Sequence, residues 1–320
     1  MSQEGCVCGS PAAINAGNKG CTIEMKPMAF PIFQYRYKAD GTENVIDVSS
    51  GSLGANIVAL VNSSTAIIER LFPTLRVQNP TVNRTDTNYE TTANGDKFRL
   101  DGEGGVYTFM MEYYGADGVF QIFREFKKMG CTDIVMYIAT TDGAIWGTKD
   151  SVDATDLKGY VLSKETIDSY FSFPVPGAKA KTVLSFDVDR ETCIENSYVI
   201  TAAEMIATGG VKSTSLVPLV SGYQTLVNPT PSNTTIQTTV YEGFGTAGTR
   251  KPVTGLVLAN FEVYDNTAAA AIVPSDATET PAGSGIYVLT VPAMTATNEL
   301  TVSVINATGY DVATGDTVAS

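Results

Sequence analysis

The sequence predicts a mainly β fold: a β-sandwich with one flanking α-helix, followed by a second, smaller β-sandwich. Short stretches in which apolar and polar residues alternate recur along the 320 residues, and this is the period of a half-buried strand. Gly, Pro, Asn and Asp cluster between these stretches as turn sequences. Only 17 % of the residues are charged, and a single long segment has the spacing of an amphipathic helix. A chain of this length has room for two domains.

The first predicted domain begins after a polar arm. Residues 1–20 are rich in Gly, Ala and Asn and hold too few apolar side chains for a core, so we expect an arm there. Strand patterns then run over residues 30–37, 43–48 and 66–77, with a turn at Asp40-Gly41 and a bend at Pro73. The apolar segment 54–61 is too short to assign from its period.

The longest interruption of the strand pattern is polar. Residues 78–104 are rich in Thr, Asn and Asp and contain the turn sequences Asn79-Pro80 and Asn94-Gly95. A polar segment of this length within a compact domain is usually a functional loop or a hairpin. Alternation over residues 81–92 favours a projecting hairpin.

The one clear helix is predicted over residues 118–129, and we expect it to be the longest in the chain. Asp117 can cap its start and Gly130 can end it. Four apolar residues follow the spacing i, i+3, i+4, i+7 and form a face that packs against a sheet: Val119, Ile122, Phe123 and Phe126.

Further strands and a short helix complete the first domain, which is assigned to residues 21–227. The strands are predicted over residues 106–114, 132–141, 144–147, 160–163, 166–173 and 182–189. Thr201 and Glu204 have the spacing of a capping box that opens a helix ending near Ala207. The Pro-containing sequence 228–233 is the predicted boundary between the domains.

The second domain, residues 228–310, has short strands separated by turns and no helical pattern. This is typical of a small β-sandwich. Its strands are predicted over residues 234–241, 255–264, 286–291 and 299–306. Residues 311–320 are polar and are predicted to be a frayed tail.

Composition excludes several classes of function. The chain has no His, which rules out Ser-His-Asp and Cys-His catalysis and every His-containing metal site. The net charge of −13, without a basic cluster, argues against specific nucleic-acid binding. The excess of acidic residues either serves solubility alone or marks a surface that repels DNA. Residues 1–10 do not have the pattern of a signal peptide, and no apolar run approaches the ~20 residues that span a bilayer. We expect a protein that is neither secreted nor in a membrane.

The cysteines do not form a recognisable framework. They are Cys6, Cys8, Cys21, Cys131 and Cys193. An odd number argues against a disulfide scaffold. Cys6, Cys8 and Cys21 could supply part of a thiolate metal site, but Cys-x-Cys spacing is uncommon for zinc and a fourth ligand would be distant. We therefore predict no metal and no other cofactor.

Two acidic pairs and one Trp are the remaining candidates for chemistry. Asp187 and Asp189 could hold a cation, but residues i and i+2 of a strand share a face, so a polar strand face is the simpler interpretation. Nothing in the sequence places this pair, or Glu103 with Glu112, across a cleft, as glycoside hydrolysis requires. Trp146 could stack on carbohydrate, but more simply packs in the core. No catalytic residue is predicted.

Residues 105–190 carry a resemblance in the order of their elements. A strand and the amphipathic helix at 119–129 precede a strand that ends in Thr141-Asp-Gly-Ala-Ile-Trp-Gly147. Gly159-Tyr-Val-Leu162 and Val183-Leu-Ser-Phe-Asp-Val188 follow. This arrangement resembles the tail-tube and tail-ring proteins of phages, which pair a β-sandwich with one flanking helix. The resemblance implies that the sheets of neighbouring subunits join into a ring, that a long hairpin reaches the next ring, and that the arm tethers rings.

The resemblance also assigns roles to residues. The candidate inter-ring contacts on the hairpin are Thr81, Asn83, Arg84, Asp86, Tyr89 and Glu90. Asp187 and Asp189 are candidate acids of a lumen through which DNA passes without specific binding. The implied partners are copies of this chain and other virion proteins. The implied location is the virion, after assembly in the host cytoplasm.

The second domain resembles the Ig-like domains appended to bacterial and phage virion proteins. The resemblance lies in Lys251-Pro-Val-Thr-Gly-Leu-Val-Leu-Ala-Asn-Phe-Glu-Val-Tyr264 and Gly283-Ser-Gly-Ile-Tyr-Val-Leu-Thr290. Head–tail connector rings and capsid or decoration proteins share similar pieces and stay open as alternatives. An adhesin or glycan-binding module that uses Trp146 or the second domain also stays open. We do not expect an enzyme.

Overall fold

The computed structural model describes residues 26–84, 89–91, 93–94, 97–99, 106–114, 126–127, 129, 132–151, 154–189, 192, 196–227, 234–242, 251–293, 298–313, 315 and 318–319. Several predictions lie outside these residues. They are the arm at 1–20, all five cysteines, residues 118–125 of the predicted helix, and the boundary sequence 228–233.

The chain divides into two compact units, which are described separately. Unit 1 contains Met1–Val61 and Ile68–Val217, and unit 2 contains Asn62–Ile67 and Pro218–Ser320. Both units are built mainly from strands, so the predicted mainly β fold is confirmed.

Unit 1 is built around two antiparallel sheets. Its strands are β1 (Met28–Tyr35), β2 (Ile46–Asp47), β3 (Phe72–Pro73), β4 (Gln78–Arg84), β5 (Tyr89–Thr91), β6 (Lys97–Arg99), β7 (Tyr107–Tyr114), β8 (Ile134–Thr140), β9 (Ile145–Thr148), β10 (Asp156–Leu157), β11 (Tyr160–Val161), β12 (Asp168–Ser172), β13 (Lys181–Asp187) and β14 (Ser197–Ile200). The larger sheet has the order β14-β9-β8-β1-β3, with β11 also paired to β8. The smaller sheet has the order β12-β13-β7-β4. Two further pairs are β2 with β10 and β5 with β6.

Aromatic side chains join the two sheets of unit 1 into one core. Phe33 of β1 meets Phe186 of β13 edge to face, with ring centroids 5.9 Å apart. Phe186 also stacks on Phe109 of β7, with centroids 5.7 Å apart. All three rings are buried. Because burying a Phe stabilises by roughly 1.5–3 kcal/mol, these contacts hold the sheets face to face as a sandwich.

Part of the predicted helix at 118–129 is described, and it is helical. The described residues are Phe126, Lys127 and Met129. Phe126 is buried beside Phe33 and Tyr113, with ring centroids 6.0 and 5.6 Å away. The predicted packing of this face against a sheet is therefore confirmed at Phe126, while Phe123 lies outside the described residues.

The apolar segment that the sequence leaves unassigned at 54–61 is a helix. This helix, α1 (Leu53–Val61), is buried at Leu53, Ile57 and Val61, which recur every four residues. The spacing is helical, but the run is short enough that a buried strand matches it equally well.

The predicted capping box is confirmed at the start of α2 (Ala202–Ala207). The Thr201 hydroxyl accepts a hydrogen bond from the Glu204 amide at 3.2 Å, and the Glu204 carboxylate accepts one from the Thr201 amide at 2.7 Å. After α2 the chain passes close to α1, and the Gly54 amide donates to the Thr208 hydroxyl at 2.7 Å. The two helices therefore pack backbone to backbone at Gly54.

The strand predicted over residues 66–77 is wrong except at β3. Side chains occupy backbone oxygens that a sheet partner would otherwise take. Gln34 donates to the Glu69 carbonyl oxygen at 2.8 Å, and Asn44 donates to the Ile68 carbonyl oxygen at 2.7 Å. Residues 68 and 69 are therefore held by side-chain hydrogen bonds. Further along, the Thr74 and Val77 amides donate to the Pro31 and Ala29 carbonyl oxygens at 3.1 and 2.9 Å.

Unit 2 is a second sandwich of two sheets. Its strands are β15 (Val220–Val227), β16 (Thr235–Glu242), β17 (Lys251–Pro252), β18 (Phe261–Asp265), β19 (Ala270–Ile272), β20 (Asp276–Glu279), β21 (Ile286–Thr290), β22 (Glu299–Val304), β23 (Tyr310–Val312) and β24 (Val318–Ala319). One sheet has the order β20-β21-β16-β15-β23, with β17 on β16, and the other has the order β19-β18-β22-β24. The core between them includes Ile236, Val240, Tyr287, Leu289 and Val302.

Unit 2 starts earlier and continues later than the sequence predicts. β15, assigned from the sequence to the first domain, pairs with β16, so the division falls after Val217 rather than at 228. The tail predicted at 311–320 contains paired strands, because β23 lies parallel to β15 and β24 pairs with β22. The strand predicted over 255–264 begins only at Phe261, because a 3-10 helix at Leu258–Asn260 precedes it.

Replacing Gly54 with Ala should destabilise unit 1 by about 2 kcal/mol or more. A Cβ at this position would overlap the carbonyl oxygen of Met205 and lie 2.7 Å from the Gly210 nitrogen. Backbone atoms cannot turn aside as a flexible side chain can. Chemical denaturation of the Gly54→Ala variant measures the loss. Gly51→Ala is the matched control, because a Cβ at Gly51 meets nothing within 4 Å. Equal stability of the two variants would contradict the packing described at Gly54.

Candidate assembly interface

The four-stranded sheet of unit 1, called here the assembly sheet, has two unlike faces. One face is buried in the core through Phe109, Met111, Tyr113, Leu184 and Phe186. Alternation along β7 and β13 places the intervening side chains on the opposite, outer face. On that face Met110 and Tyr170 are about half exposed. Val183, which lies on the outer face between Glu112 and Tyr170, is buried. The assembly sheet thus has one face committed to folding and a second face that is exposed in part.

Both edges of the assembly sheet are open among the described residues. β4 forms one edge and β12 the other, and every residue of β4 is exposed. The register of β4 on β7 shifts between Gln78 and Thr81, where Asn79 has a φ of 47° and Pro80 has no N–H to donate. Regular strand geometry is therefore confined to Thr81–Arg84. An exposed edge of this kind can pair with another chain.

The register of the strands places one predicted inter-ring contact and one predicted lumen acid on the same face of the sheet. Asn83 of β4 lies opposite Thr108 of β7, and Thr108 lies opposite Asp187 of β13. The Thr108 hydroxyl donates to the Asp187 carboxylate at 2.5 Å. Asn83, a predicted inter-ring contact, is thus on the same sheet face as Asp187, a predicted lumen acid.

A second row across the sheet continues this polar face. Thr81 lies opposite Met110, Met110 opposite Ser185, and Ser185 opposite Asp168 of β12. Asp168 also forms a surface ion pair with Lys127 at 3.6 Å. Hydroxyl and carboxylate side chains therefore lie on both sides of the half-exposed Met110 in this row.

Glu112 ties the edge strand to the centre of the assembly sheet. Its carboxylate pairs with the Lys181 ammonium and accepts hydrogen bonds from the Tyr114 hydroxyl at 2.6 Å and the Asn79 amide at 3.1 Å. The hydrogen bond from Lys181 is the largest cause that holds the pKa of Glu112 below its ordinary value. Glu112 was predicted only as one of a candidate pair of acids. Its partners assign it a structural role at the start of β4.

The predicted hairpin at 78–104 is divided between two pairings. Its first part, β4, is an edge strand of the assembly sheet, and its later part forms the pair β5–β6. Tyr89 and Glu90 lie on β5, and Asp86 lies outside the described residues. Arg84 places its guanidinium 5.8 Å from the Tyr107 ring centre on β7. Of the six candidate contacts, Thr81, Asn83 and Arg84 therefore belong to the sheet rather than to a projection.

Asp187 and Asp189 do not share a strand. β13 ends at Asp187, and the Asp189 amide donates instead to the Val161 carbonyl oxygen of β11 at 2.7 Å. β11 belongs to the larger sheet of unit 1, so Asp189 follows the chain as it crosses away from the assembly sheet. The alternation of apolar and polar residues does not show that the strand ends between Asp187 and Asp189.

Other candidates for chemistry have structural surroundings where they are described. Trp146 lies on β9 opposite Ile138 and Val199 and packs against the core. Glu103 lies outside the described residues. Within the described part of the chain, no group of three or more Cys, Asp or Glu side chains is placed to hold a metal ion. In the same residues, no helix is long and apolar enough to cross a membrane.

The edge position of β4 is the feature that sequence reasoning missed. A signal was present, because Pro within an alternating segment marks an edge strand or a bulge. Pro80 lies at such a position, next to the register shift. Because Asn79-Pro80 is interpreted from the sequence only as a turn, the whole segment 78–104 is predicted to be a projecting hairpin.

Comparison with known proteins identifies no family. No family model and no curated protein matches the chain. Similar solved structures include the tail of an empty GTA particle, which is 12 % identical with a TM-score of 0.21 and covers 35 % of this chain and 77 % of that chain. They also include the anti-feeding prophage cap, a tube-terminating cap, which is 11 % identical with a TM-score of 0.24 and covers 60 % of this chain and all of that chain. TM-scores of this size do not establish a shared fold, so no function is inferred from these two structures.

The stability contributed by Glu112 should depend on pH. A pKa depressed below 4.5 means that folding favours the carboxylate. That stabilisation is complete above the ordinary pKa and is lost as the pH falls through the folded-state pKa. We therefore expect Glu112→Gln to be less stable than the natural chain at neutral pH, and the difference to shrink as the pH falls below the ordinary carboxyl pKa of 4.5. Urea unfolding measured at neutral pH and over this acidic range tests it. Glu262→Gln, at an exposed position of β18, is the control. A difference that does not change with pH would contradict the ionic role.

Proposed function

We propose that this chain is a phage-type virion structural protein that assembles with copies of itself into a ring or a tail tube. The observation that carries the proposal is the assembly sheet, with one face in the core, an outer face on which hydroxyl and carboxylate side chains surround Met110 and Tyr170, and open edges at β4 and β12. The order of elements over residues 105–190, which resembles tail-tube and tail-ring proteins, supports the virion setting. A connector or cap ring would use the same sheet, and the proposal covers both locations.

The joint between subunits is formed by sheet edges in this proposal. β4 of one copy pairs with β12 of the next, so that four-stranded sheets continue from subunit to subunit. An edge strand offers unpaired N–H and C=O groups in a fixed row, and addition of a strand satisfies them. The two edges differ, so the contact is head to tail and can close into a ring.

The length of the joint limits its strength. Regular geometry over Thr81–Arg84 supports only a few inter-subunit hydrogen bonds. At about 1 kcal/mol net for each bond, a single joint contributes a few kcal/mol. Closure of a ring, in which each subunit is held on two sides, and additional contacts are then required for a stable assembly.

The outer face of the assembly sheet faces the lumen in this proposal. Asp168 and Asp187 lie on it, while Lys181 on the same face is paired with Glu112. Carboxylates repel phosphates, although the Lys127 ammonium beside Asp168 offsets part of that charge, and a bound DNA would stall. The hydroxyl groups of Thr81, Thr108 and Ser185 add polar surface without a charge that would attract the DNA phosphates. DNA then passes without specific binding.

The β5–β6 pair and unit 2 take the remaining roles. β5–β6 continues from β4 towards the turn at Ala93 and Asn94, and it is proposed as the contact between stacked rings. Tyr89 and Glu90 remain its candidate contacts. Unit 2 has its own core and is proposed as an Ig-like domain on the outside of the assembly.

A proline in β4 should abolish ring formation without unfolding the subunit. Alternate amides of an edge strand point towards and away from the sheet, so one of Val82→Pro and Asn83→Pro removes only an outward N–H. The variant that keeps its circular dichroism and unfolding temperature should be monomeric in sedimentation and show no rings in negative-stain images. Val82→Thr and Asn83→Thr are the matched controls and should assemble. Rings of normal size from the folded proline variant would refute the edge joint.

Removing the β5–β6 pair should separate ring formation from stacking. A chain in which a short Gly-Ser linker replaces residues 89–99 keeps β4 and β7, and so keeps the proposed joint. We expect single rings in place of stacked rings or tubes, counted in negative-stain images. A matched chain in which the same residues are replaced by a Gly-Ser segment of equal length controls for loop length. Tubes of normal length from both chains would remove the stacking role.

A further inference from the structure

The edge strand β4 contains a β-bulge near its start. The ends of the segment Gln78–Thr81 lie opposite the ends of Met110–Glu112 on β7, so β4 advances three residues while β7 advances two. The extra residue falls at Asn79-Pro80. A bulge bends the strand and interrupts its ladder of hydrogen bonds, and Pro80 has no N–H to donate to either neighbour. Asn79 and Pro80 are called here the β4 bulge.

The backbone at Asn79 has a conformation that local preferences oppose. Its φ is 47°, in the left-handed region, which Asn enters more readily than most non-Gly residues but still at a cost. The residue before a Pro is also driven towards extended φ and ψ, so Pro80 works against the same conformation. A specific contact is therefore needed to hold Asn79 as it is.

Glu112 supplies that contact. Its Oε2 accepts a hydrogen bond from the Asn79 side-chain amide at 3.1 Å. The same carboxylate is held by the Lys181 ammonium and by the Tyr114 hydroxyl, the latter at 2.6 Å. Because three donors converge on it, the carboxylate has a fixed position. The β4 bulge is thus tied to the central strands β7 and β13 of the assembly sheet.

The β4 bulge shortens the part of the edge that another strand can join. β4 has seven residues, but regular register is kept only over Thr81–Arg84. β12, the strand proposed to join it, has five residues. On a regular β4, a five-residue strand could pair fully in two registers that lie two residues apart and turn the same side chains to each face. With the bulge in place, only the register over Thr81–Arg84 keeps most of its pairs.

We propose that the β4 bulge is a register stop for the joint between copies, and that Asn79 is its positioning residue. The inference rests on the proposed self-assembly through β4. A slip of two residues would move the neighbouring copy by about 7 Å along the strand. Since the same joint repeats around a ring, such a shift changes the number of subunits that closes it. The stop therefore selects one ring size.

Substitutions at position 79 of the full chain test the stop. Asn79→Ala disfavours positive φ and removes the amide, so β4 should become more regular. The ratio of other ring sizes to the natural size should then rise at least about five-fold, counted by native mass spectrometry. Asn79→Gly accepts a positive φ freely and should lie closer to the natural chain than Asn79→Ala.

Gln78→Ala is the matched control for these substitutions. It removes the neighbouring exposed amide of β4 without changing the bulge, and it should give the natural ring size. Circular dichroism and the unfolding temperature establish that each variant is folded. A natural ring-size distribution from folded Asn79→Ala would overturn the stop, and so would rings of Asn79→Gly that are as mixed as those of Asn79→Ala.

Photo-crosslinking reports the register directly. A benzophenone-bearing amino acid is placed at position 83 of the full chain, and assemblies are formed from an equal mixture of isotopically light and heavy chains. Mass spectrometry of the crosslinked peptides should show adducts centred on one residue of the neighbouring copy. Adding Asn79→Ala should produce a second set of adducts centred two residues away. Unchanged adducts would overturn the register stop.

The outcomes separate this inference from the proposed function. If the natural chain is monomeric at all accessible concentrations, self-assembly fails and the register stop fails with it. If the natural chain forms rings of one size and folded Asn79→Ala forms the same rings with the same adducts, only the register stop fails. If Asn79→Ala gives mixed rings while the folded β4 proline variant is monomeric, both proposals are supported.

Discussion

The edge-to-face contact between Phe33 and Phe186 is the constraint on which the rest of unit 1 depends. It commits one face of the assembly sheet to the core, while the opposite face holds the Glu112–Lys181 pair and exposes Met110 and Tyr170. Phe126 and Phe109 extend the same aromatic cluster, so the buried face is fixed along its length. A sheet covered on both faces could offer only its edges. Here a face with carboxylates and hydroxyls is available as well, and that combination is what a lumen requires.

The accuracy of the sequence predictions follows from which interactions are local. Alternation identifies β7 and β16 because each has one buried face, and the spacing of Thr201 and Glu204 identifies a cap that depends on four successive residues. Alternation fails over residues 66–77, because distant side chains bond the backbone oxygens of residues 68 and 69, and only Phe72 and Pro73 pair with β1 as a strand. Alternation also cannot predict the register in which two strands pair. That Asn83, Thr108 and Asp187 lie in one row depends on pairing between three strands.

The acids of the assembly sheet have partners within the subunit. Glu112 is paired with Lys181, and Asp187 accepts a hydrogen bond from Thr108, so these acids of the assembly sheet are held by partners within the subunit. Repulsion between copies of a chain with a net charge of −13 opposes non-specific association.

The parallel pairing of β15 with β23 has a mechanical consequence. Val220, Ser221 and Gly222 lie opposite Tyr310, Asp311 and Val312, so the first strand of unit 2 runs beside a strand near its end and in the same direction. Tension applied through the chain before β15 and after β23 pulls these strands along their length in opposite directions. Their hydrogen bonds are then loaded together in shear rather than opened one at a time. We therefore expect the β15–β23 pair to resist tension that is applied across it.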